Sequence, residues 1–386
     1  MLLSEEQRLF KETTRGFLQS NAPVDALRKL RDNASDCYDK NLWQAITQLG
    51  IPAMSIPEKY GGLEFGYLGL GAVFEEMGRT LTASPLLSTV VLGASALELG
   101  GSAEQREDLL PKIASGELTL ALAIDEKNHH SPLHFDSTLS VAGDEITLNA
   151  EKTFVVDGAS ADKLVVVTSV EHADRSAQAE IEDGTLLTPL SLVLVDGDCP
   201  SLTTTRTLAM DGRSYARVSI KNAAIQPEQI IGELGKGRSV LEQILTRGSI
   251  CIAAEMMGGI DATFERTMSY LREREQFGVP IGSFQALQHR AAELFCQIEL
   301  CRSAVLDAAA ALDQGNPQVA AKASVAKALA NDCYEHVTNE AVQMHGGMGV
   351  TDELDIGLFL KRARLCSQIL GDSTYHRDRY AKLLGY

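Results

Sequence analysis

The chain has 386 residues, more than one hydrophobic core usually organises, so two or three domains are expected from size alone. Lys and Arg number 35 against 52 for Asp and Glu, and the formal net charge of -17 disfavours nucleic acid or an anionic membrane as a partner. No stretch approaches twenty uninterrupted apolar residues, Met1–Gln7 has neither a basic nor an apolar leader character, and the seven cysteines are scattered without a Cys-x-x-Cys pair. The expectation is a cytoplasmic protein with no membrane span, disulfide framework or zinc ribbon.

Helical periodicity dominates residues 1–120, as in Glu6–Leu18 and in Leu42–Leu49, the latter stopped by Gly50 and Pro52. Ile56-Pro57-Glu58-Lys59-Tyr60-Gly61-Gly62 reads as a turn-rich connection, and Leu109–Glu117 closes the region with helix-stop signals. Across residues 121–231, short β-prone runs such as Leu164–Thr168 and Leu192–Val195 are separated by Gly, Asp and Asn, which predicts a small β domain. Its polar, aperiodic stretch from Glu171 to Thr188 reads as an exposed hairpin or loop. His129, His130 and His134 lack further ligands at metal-binding spacing, so they read as a polar loop and no metal is expected.

From 232 to 386 long helical blocks return: Val240–Leu271, Ala286–Leu312, Pro317–His345 and Asp372–Leu384. Short loops between them imply a bundle, so the fold class is mostly α with a central β domain. Lys361-Arg362-Ala363-Arg364 reads as a solvated helix face or a subunit contact. Met256-Met257-Gly258-Gly259 suits an acyl pocket and core packing equally. No Gly-x-Gly-x-x-Gly opens a strand-helix unit, so a Rossmann site is unsupported.

Two segments carry the chemistry. Gln343-Met344-His345-Gly346-Gly347-Met348-Gly349 ends a helix with paired glycines, which let backbone approach a bulky anion such as a pyrophosphate. Arg274-Glu275-Gln276-Phe277-Gly278-Val279-Pro280-Ile281-Gly282-Ser283-Phe284-Gln285 adds a forked cationic donor in Arg274. Together they point to a flavin site.

With Leu49–Gly62, Glu75-Glu76-Met77-Gly78-Arg79, Lys152-Thr153-Phe154 and Gly158–Asp162, these segments resemble the acyl-CoA dehydrogenase family over nearly the whole chain. The resemblance implies a helical amino-terminal domain, a small β-barrel-like middle domain and a carboxy-terminal four-helix bundle, with FAD between the last two. It implies a homo-oligomer, or a heteromer with a related chain, because the cofactor reaches a neighbouring subunit. Carried over by position, Arg274, Phe277 and Gln285 hold the adenosine-pyrophosphate from one subunit and Gln343, Gly346 and Gly347 meet it from the other, while Phe154 flanks the flavin. The implied reaction is α,β-desaturation of an acyl-CoA thioester in fatty acid or steroid side-chain degradation. A carboxylate takes the α-proton, FAD takes the hydride, and electrons pass to an electron-transfer flavoprotein.

The chain departs from the family at the base. Where most members carry Glu-Gly-Thr before the last helix, Gly371-Asp372-Ser373-Thr374 makes Asp372 the candidate base and equally a candidate helix N-cap. Thr246 stands where a minority carry an earlier glutamate, and Arg247 beside it matches an arginine expected near the active carboxylate. Ile124-Asp125-Glu126-Lys127-Asn128-His129-His130 replaces a Glu-Pro-Gly-rich loop that touches flavin and thioester, and Val156 leaves no side-chain hydroxyl near flavin N5. In these respects the chain is similar to the small subunits of bacterial heteromeric acyl-CoA dehydrogenases. That likeness implies the alternative, a flavin-completing subunit with a degenerate site of its own. An oxygen-using acyl-CoA oxidase is disfavoured by length.

Overall fold

Reciprocal caps start two of the amino-terminal helices. Ser4 accepts from the Gln7 amide at 3.1 Å while Gln7 accepts from the Ser4 amide at 3.0 Å, and Ser102 and Gln105 repeat the exchange. In the computed structural model, which describes residues 3–33, 36–133, 135–172, 180–182 and 185–386, the amino-terminal helices are α1 (Glu5–Asn21), α2 (Val24–Asn33), α3 (Lys40–Gln48), α4 (Gly66–Thr80), α5 (Ala94–Gly100) and α6 (Ala103–Ala114). Gly50 ends α3 in the left-handed region with φ 77°, and Pro52 opens a 3-10 turn. A π-helical run, Leu86–Gly93, leads into α5 and is buried along its whole length.

Strands begin at Leu120. They are β1 (Leu120–Ala123), β2 (Thr138–Ala142), β3 (Glu145–Val156), β4 (Lys163–His172), β5 (Glu180–Glu182), β6 (Thr185–Leu187), β7 (Leu190–Asp196), β8 (Leu202–Leu208), β9 (Ser214–Ala224) and β10 (Ile230–Ile231). The main sheet runs β10-β7-β4-β2-β3-β9-β8, with β1 parallel to β4. Among the described residues β8 and β10 do not pair, so the sheet is open rather than a closed barrel. Strand β4 alternates Leu164 and Val166 into a core inside the β domain with Val165 and Val167 toward the helices, which explains its unbroken apolar run. β5 and β6 form a hairpin, in line with the reading of the 171–188 stretch. Residues 173–179 and 183–184, and the exposure of the segment, lie outside the described residues.

The remaining helices are α7 (Arg238–Glu273), α8 (Gln285–Asp313), α9 (Val319–His345), α10 (Ile356–Cys366) and α11 (Ser373–Leu383), with a two-residue hairpin β11 (Glu275–Gln276) and β12 (Val279–Pro280) between α7 and α8. α9 packs on α7, α8 and α11 to form the bundle, and α4 lies across α7. That crossing is made by glycines: a Cβ on Gly258 would sit 1.7 Å from the Glu75 carbonyl oxygen, and one on Gly78 would sit 1.9 Å from that of Glu255. The Gly258-Gly259 pair therefore serves packing, as Met256 does, whereas Met257 reaches the edge of a cavity.

Candidate active site

The flavin-motif residues, which the resemblance divides between two subunits, come together on one chain at one end of the bundle. α7 leaves there, α8 starts there and α9 ends there. The Tyr270 ring stacks on His345 with centroids 4.3 Å apart, and its hydroxyl donates to the His345 carbonyl at 3.4 Å, tying the two helix ends. Arg274, Phe277, Gln285, Gln343, Gly346 and Gly347 are all exposed around this tie. Phe277 is 93% exposed and held at φ 56°, an uncommon place for a large apolar ring on a lone monomer. Gly346 adopts φ 60°, ψ -141°, which is essentially glycine-only backbone, and a Cβ on Gly346 or Gly347 would meet nothing within 4 Å. Bare backbone, a guanidinium fork, two amide side chains and an exposed ring fit the adenosine-diphosphate half of FAD.

The other half of the predicted site lies where the β domain meets the bundle. A bulge between Lys152 and Val155 turns Phe154 to φ 54° and lays its ring on Tyr215, centroids 4.5 Å apart and planes 8° from parallel. Asp157 at φ 56° and Leu370 at φ 58° are likewise left-handed, so three strained non-glycine residues sit close to this junction.

Asp372 and Arg247, expected as a pair, hold different partners. Asp372 is exposed and accepts the Tyr375 amide at 2.8 Å, the N-cap of α11. Arg247 forks onto Glu98 of α5 at 2.6 and 3.3 Å, donates to Ser95 at 3.2 Å and lies over the Tyr67 ring at 5.3 Å. Thr246 donates to the Glu242 carbonyl at 2.8 Å and accepts from Arg379 of α11 at 3.1 Å. Two glycines beside these groups are closely packed. A Cβ on Gly371 would lie 2.3 Å from the Tyr375 ring, and one on Gly248 would lie 2.5 Å from Leu370 and 2.7 Å from Leu92.

The loop 124–130 is stapled in place by a buried ion pair. Lys152 donates to Glu126 at 2.6 Å and to the Ile124 carbonyl at 3.2 Å, and burial pushes its ammonium down to about 8 despite Glu126. His130 lies in the expected loop, but its side chain is only 2% exposed: its Nδ1 meets Asp125 at 2.8 Å, its ring stands edge-on to Tyr375 at 4.9 Å, and its Nε2 has no hydrogen-bond partner among the described residues. His134 lies outside the described residues. The Asp125–His130 pair stands beside the turn where the base was sought.

A second buried cluster was missed by the sequence reading. Arg362 of α10 donates to Glu255 of α7 at 2.9 Å and to Asp211 at 2.9 Å, and Arg213 meets Glu255 at 3.1 Å. This corrects at Arg362 the reading of Lys361–Arg364 as a solvated face or subunit contact: Arg362 is 3% exposed because it is turned onto Glu255 and Asp211, while Arg364 stays exposed. The available signal was Glu255 itself, a lone charge in Ala253-Ala254-Glu255-Met256-Met257. Lys327, also buried, donates to Asn331 at 2.7 Å and to the Cys366 and Gly371 carbonyls at 3.0 Å each, fixing the turn into α11, and burial pushes it down to about 7.

Beside the Arg362 cluster, Asp157 lines a small cavity of about 20 Å³, room for one water. Burial pushes its carboxyl up to about 6, although Ser88 donates to it at 2.7 Å. A raised folded value means the native state holds the proton between about pH 4 and 6 while the unfolded chain has lost it, so this group's contribution falls as pH rises through that window. Asp157→Asn is expected to raise stability at pH 7 by about 2–3 kcal/mol and to remove that slope, asparagine also suiting the left-handed backbone. Urea midpoints at pH 4.5 and 7 check it, and an unchanged slope refutes it.

Comparison with known proteins places the fold in a family. The family model for the acyl-CoA dehydrogenase amino-terminal domain matches residues 4–117, and that for the carboxy-terminal domain matches residues 235–385. The chain is 30% identical over 384 residues to mitochondrial isovaleryl-CoA dehydrogenase of Pongo abelii, covering 97% of this chain and 88% of that protein. It superposes on acyl-CoA dehydrogenase from Geobacillus kaustophilus with a TM-score of 0.88 at 25% identity, covering 100% of this chain and 99% of the other. On the Tcur3481-Tcur3483 steroid ACAD G363A variant the TM-score is 0.85 at 28% identity, with 98% of each chain covered. The chain belongs to the acyl-CoA dehydrogenase family of FAD-dependent oxidoreductases.

Proposed function

We propose that the chain takes part in FAD-dependent α,β-desaturation of an acyl-CoA thioester as the flavin-completing member of a heteromer with a related chain, electrons passing to an electron-transfer flavoprotein. The observation that carries this reading is a contrast. The six diphosphate-end residues stand open, while Asp372 is engaged as a cap and Gly371 and Gly248 are closely packed by Tyr375, Leu370 and Leu92. The name of the Tcur3481-Tcur3483 steroid ACAD, which pairs two chains, supports the heteromeric form. FAD, when bound, supplies the hydride acceptor. The chain's own residues hold its diphosphate through Arg274, Gln285, Gln343 and the Gly346-Gly347 backbone, and Phe277 reaches across to the neighbouring subunit. All seven cysteines are free thiols, which suits the reducing cytoplasm, the address that belongs to the same proposal.

A second reading rests on the position of Asp372 at the head of α11: a self-sufficient dehydrogenase with Asp372 as base. Visible absorbance and anaerobic bleaching by an acyl-CoA panel, on the chain alone and co-expressed with a related chain, separate the two. On the proposal, Asp372→Asn leaves bleaching by the complex within about twofold and costs about 1 kcal/mol of stability or less through the weakened cap. If the chain alone bleaches, and Asp372→Asn slows bleaching by at least about a hundredfold, the proposal fails and the second reading stands.

A further inference from the structure

A cavity of about 230 Å³ opens between α1, α4, α7 and α8. It shares no lining residue with the junction around Gly371 or with the flavin-motif end of the bundle. Its walls are apolar: Leu68 and Ala72 of α4, Met257 of α7, and Val305 and Ala309 of α8. Small side chains on three of these helices, Gly71 and Ala72, Ala254 and Ala309, leave the space. An apolar cavity of about 150 Å³ stays dry and takes up benzene, so by the same measure this one has room for about eight or nine carbon atoms.

The mouth is charged and net positive. Lys11 meets Glu75 at 2.6 Å, and Arg302 is forked onto Asp261 at 2.6 and 3.1 Å, so these groups are already compensated. Arg8 is not. It is exposed at the rim, its recorded side-chain bond is a long 3.5 Å contact to the Ser4 carbonyl, and among the described residues no carboxylate pairs with it. An uncompensated guanidinium above a dry aliphatic slot is complementary to an anionic head on a short alkyl chain.

We propose that this cavity binds a medium-chain fatty carboxylate, with the chain between α4, α7 and α8 and the carboxylate on Arg8. The site is independent of the desaturation reading. Neutral alkanols fill the slot without using Arg8, and short carboxylates reach Arg8 without filling the slot, so head and tail are separately testable.

The test is calorimetric titration of the full chain with octanoate, octan-1-ol and butyrate, on the wild type, Arg8→Ala and Ala309→Leu. Octanoate is expected to bind at least about tenfold more tightly than butyrate, and about tenfold more weakly to Arg8→Ala, consistent with loss of one charge-assisted contact. Octan-1-ol binding is expected to be unchanged in Arg8→Ala, and Ala309→Leu is expected to abolish binding of both eight-carbon probes. Arg8 lies on an exposed helix face, so that variant decides the matter even if Ala309→Leu folds poorly. Absence of octanoate binding, equal octanoate affinity in wild type and Arg8→Ala, or full binding to a folded Ala309→Leu each overturns the proposal.

Discussion

Arg362→Met is expected to destabilise the protein by about 3–5 kcal/mol, the range found when one member of a buried ionic cluster is removed. Arg362 is the group to which both Asp211 and Glu255 are directed, and it also donates to the Tyr215 hydroxyl at 3.2 Å. Without it, Glu255 keeps only the ion pair to Arg213 at 3.1 Å, and Asp211 keeps only the Arg213 backbone amide at 3.1 Å and the Tyr215 hydroxyl at 3.2 Å, so one of the two buried carboxylates has no counter-ion among the described residues. The loss should therefore be asymmetric. Converting Asp211 and Glu255 to Asn and Gln in the Arg362→Met background is expected to recover most of the stability, because a neutral cluster needs no buried counter-ion. Urea unfolding at pH 7 with unchanged m-value reads both steps. A single-variant cost below about 1 kcal/mol would show that the cluster is solvated and contributes little.

The second large effect concerns the flavin. Arg274→Ala is expected to weaken flavin retention by about ten- to a hundredfold in whichever assembly carries it, the size of one or two charge-assisted hydrogen bonds to a diphosphate. The Arg274 side chain is exposed, so thermal stability of the isolated chain should not move, which separates lost ligand contact from lost fold. Phe277→Ala, at a ring 93% exposed, should act instead on subunit association, read as a shift in mass by size-exclusion chromatography. The ratio of visible to ultraviolet absorbance after desalting measures retention. A full complement of flavin in Arg274→Ala would remove this arginine from the cofactor site.

Legibility in the sequence followed distance along the chain. Gly50 with Pro52 announces a helix limit because breakers act within a turn. The Arg274–Gln285 and Gln343–Gly349 segments were readable for the same reason, being local runs whose backbone peculiarities sit in the run itself. Leu86–Gly93 was not readable as a helix, since a π-helical run buried on every side has no polar face and so no period to detect. The Arg362–Glu255–Asp211 cluster joins residues 107 and 151 apart, and only the fold brings them together. Asp125 and His130 are five apart, yet their pairing depends on the loop closing over a buried Lys152, which the pattern of residues does not disclose.

The crossing of Gly78 with Gly258 also sets a problem in time. The partner of α4 is made roughly 180 residues later, on the order of 10–35 s at ribosomal speeds of about 5–20 residues per second. Throughout that interval α4 can close against α1, but the face that will meet α7 stays open. A nascent chain of this protein therefore carries an adhesive surface for many seconds, and its yield should depend on translation speed and on chaperone supply while α7 is still being synthesised.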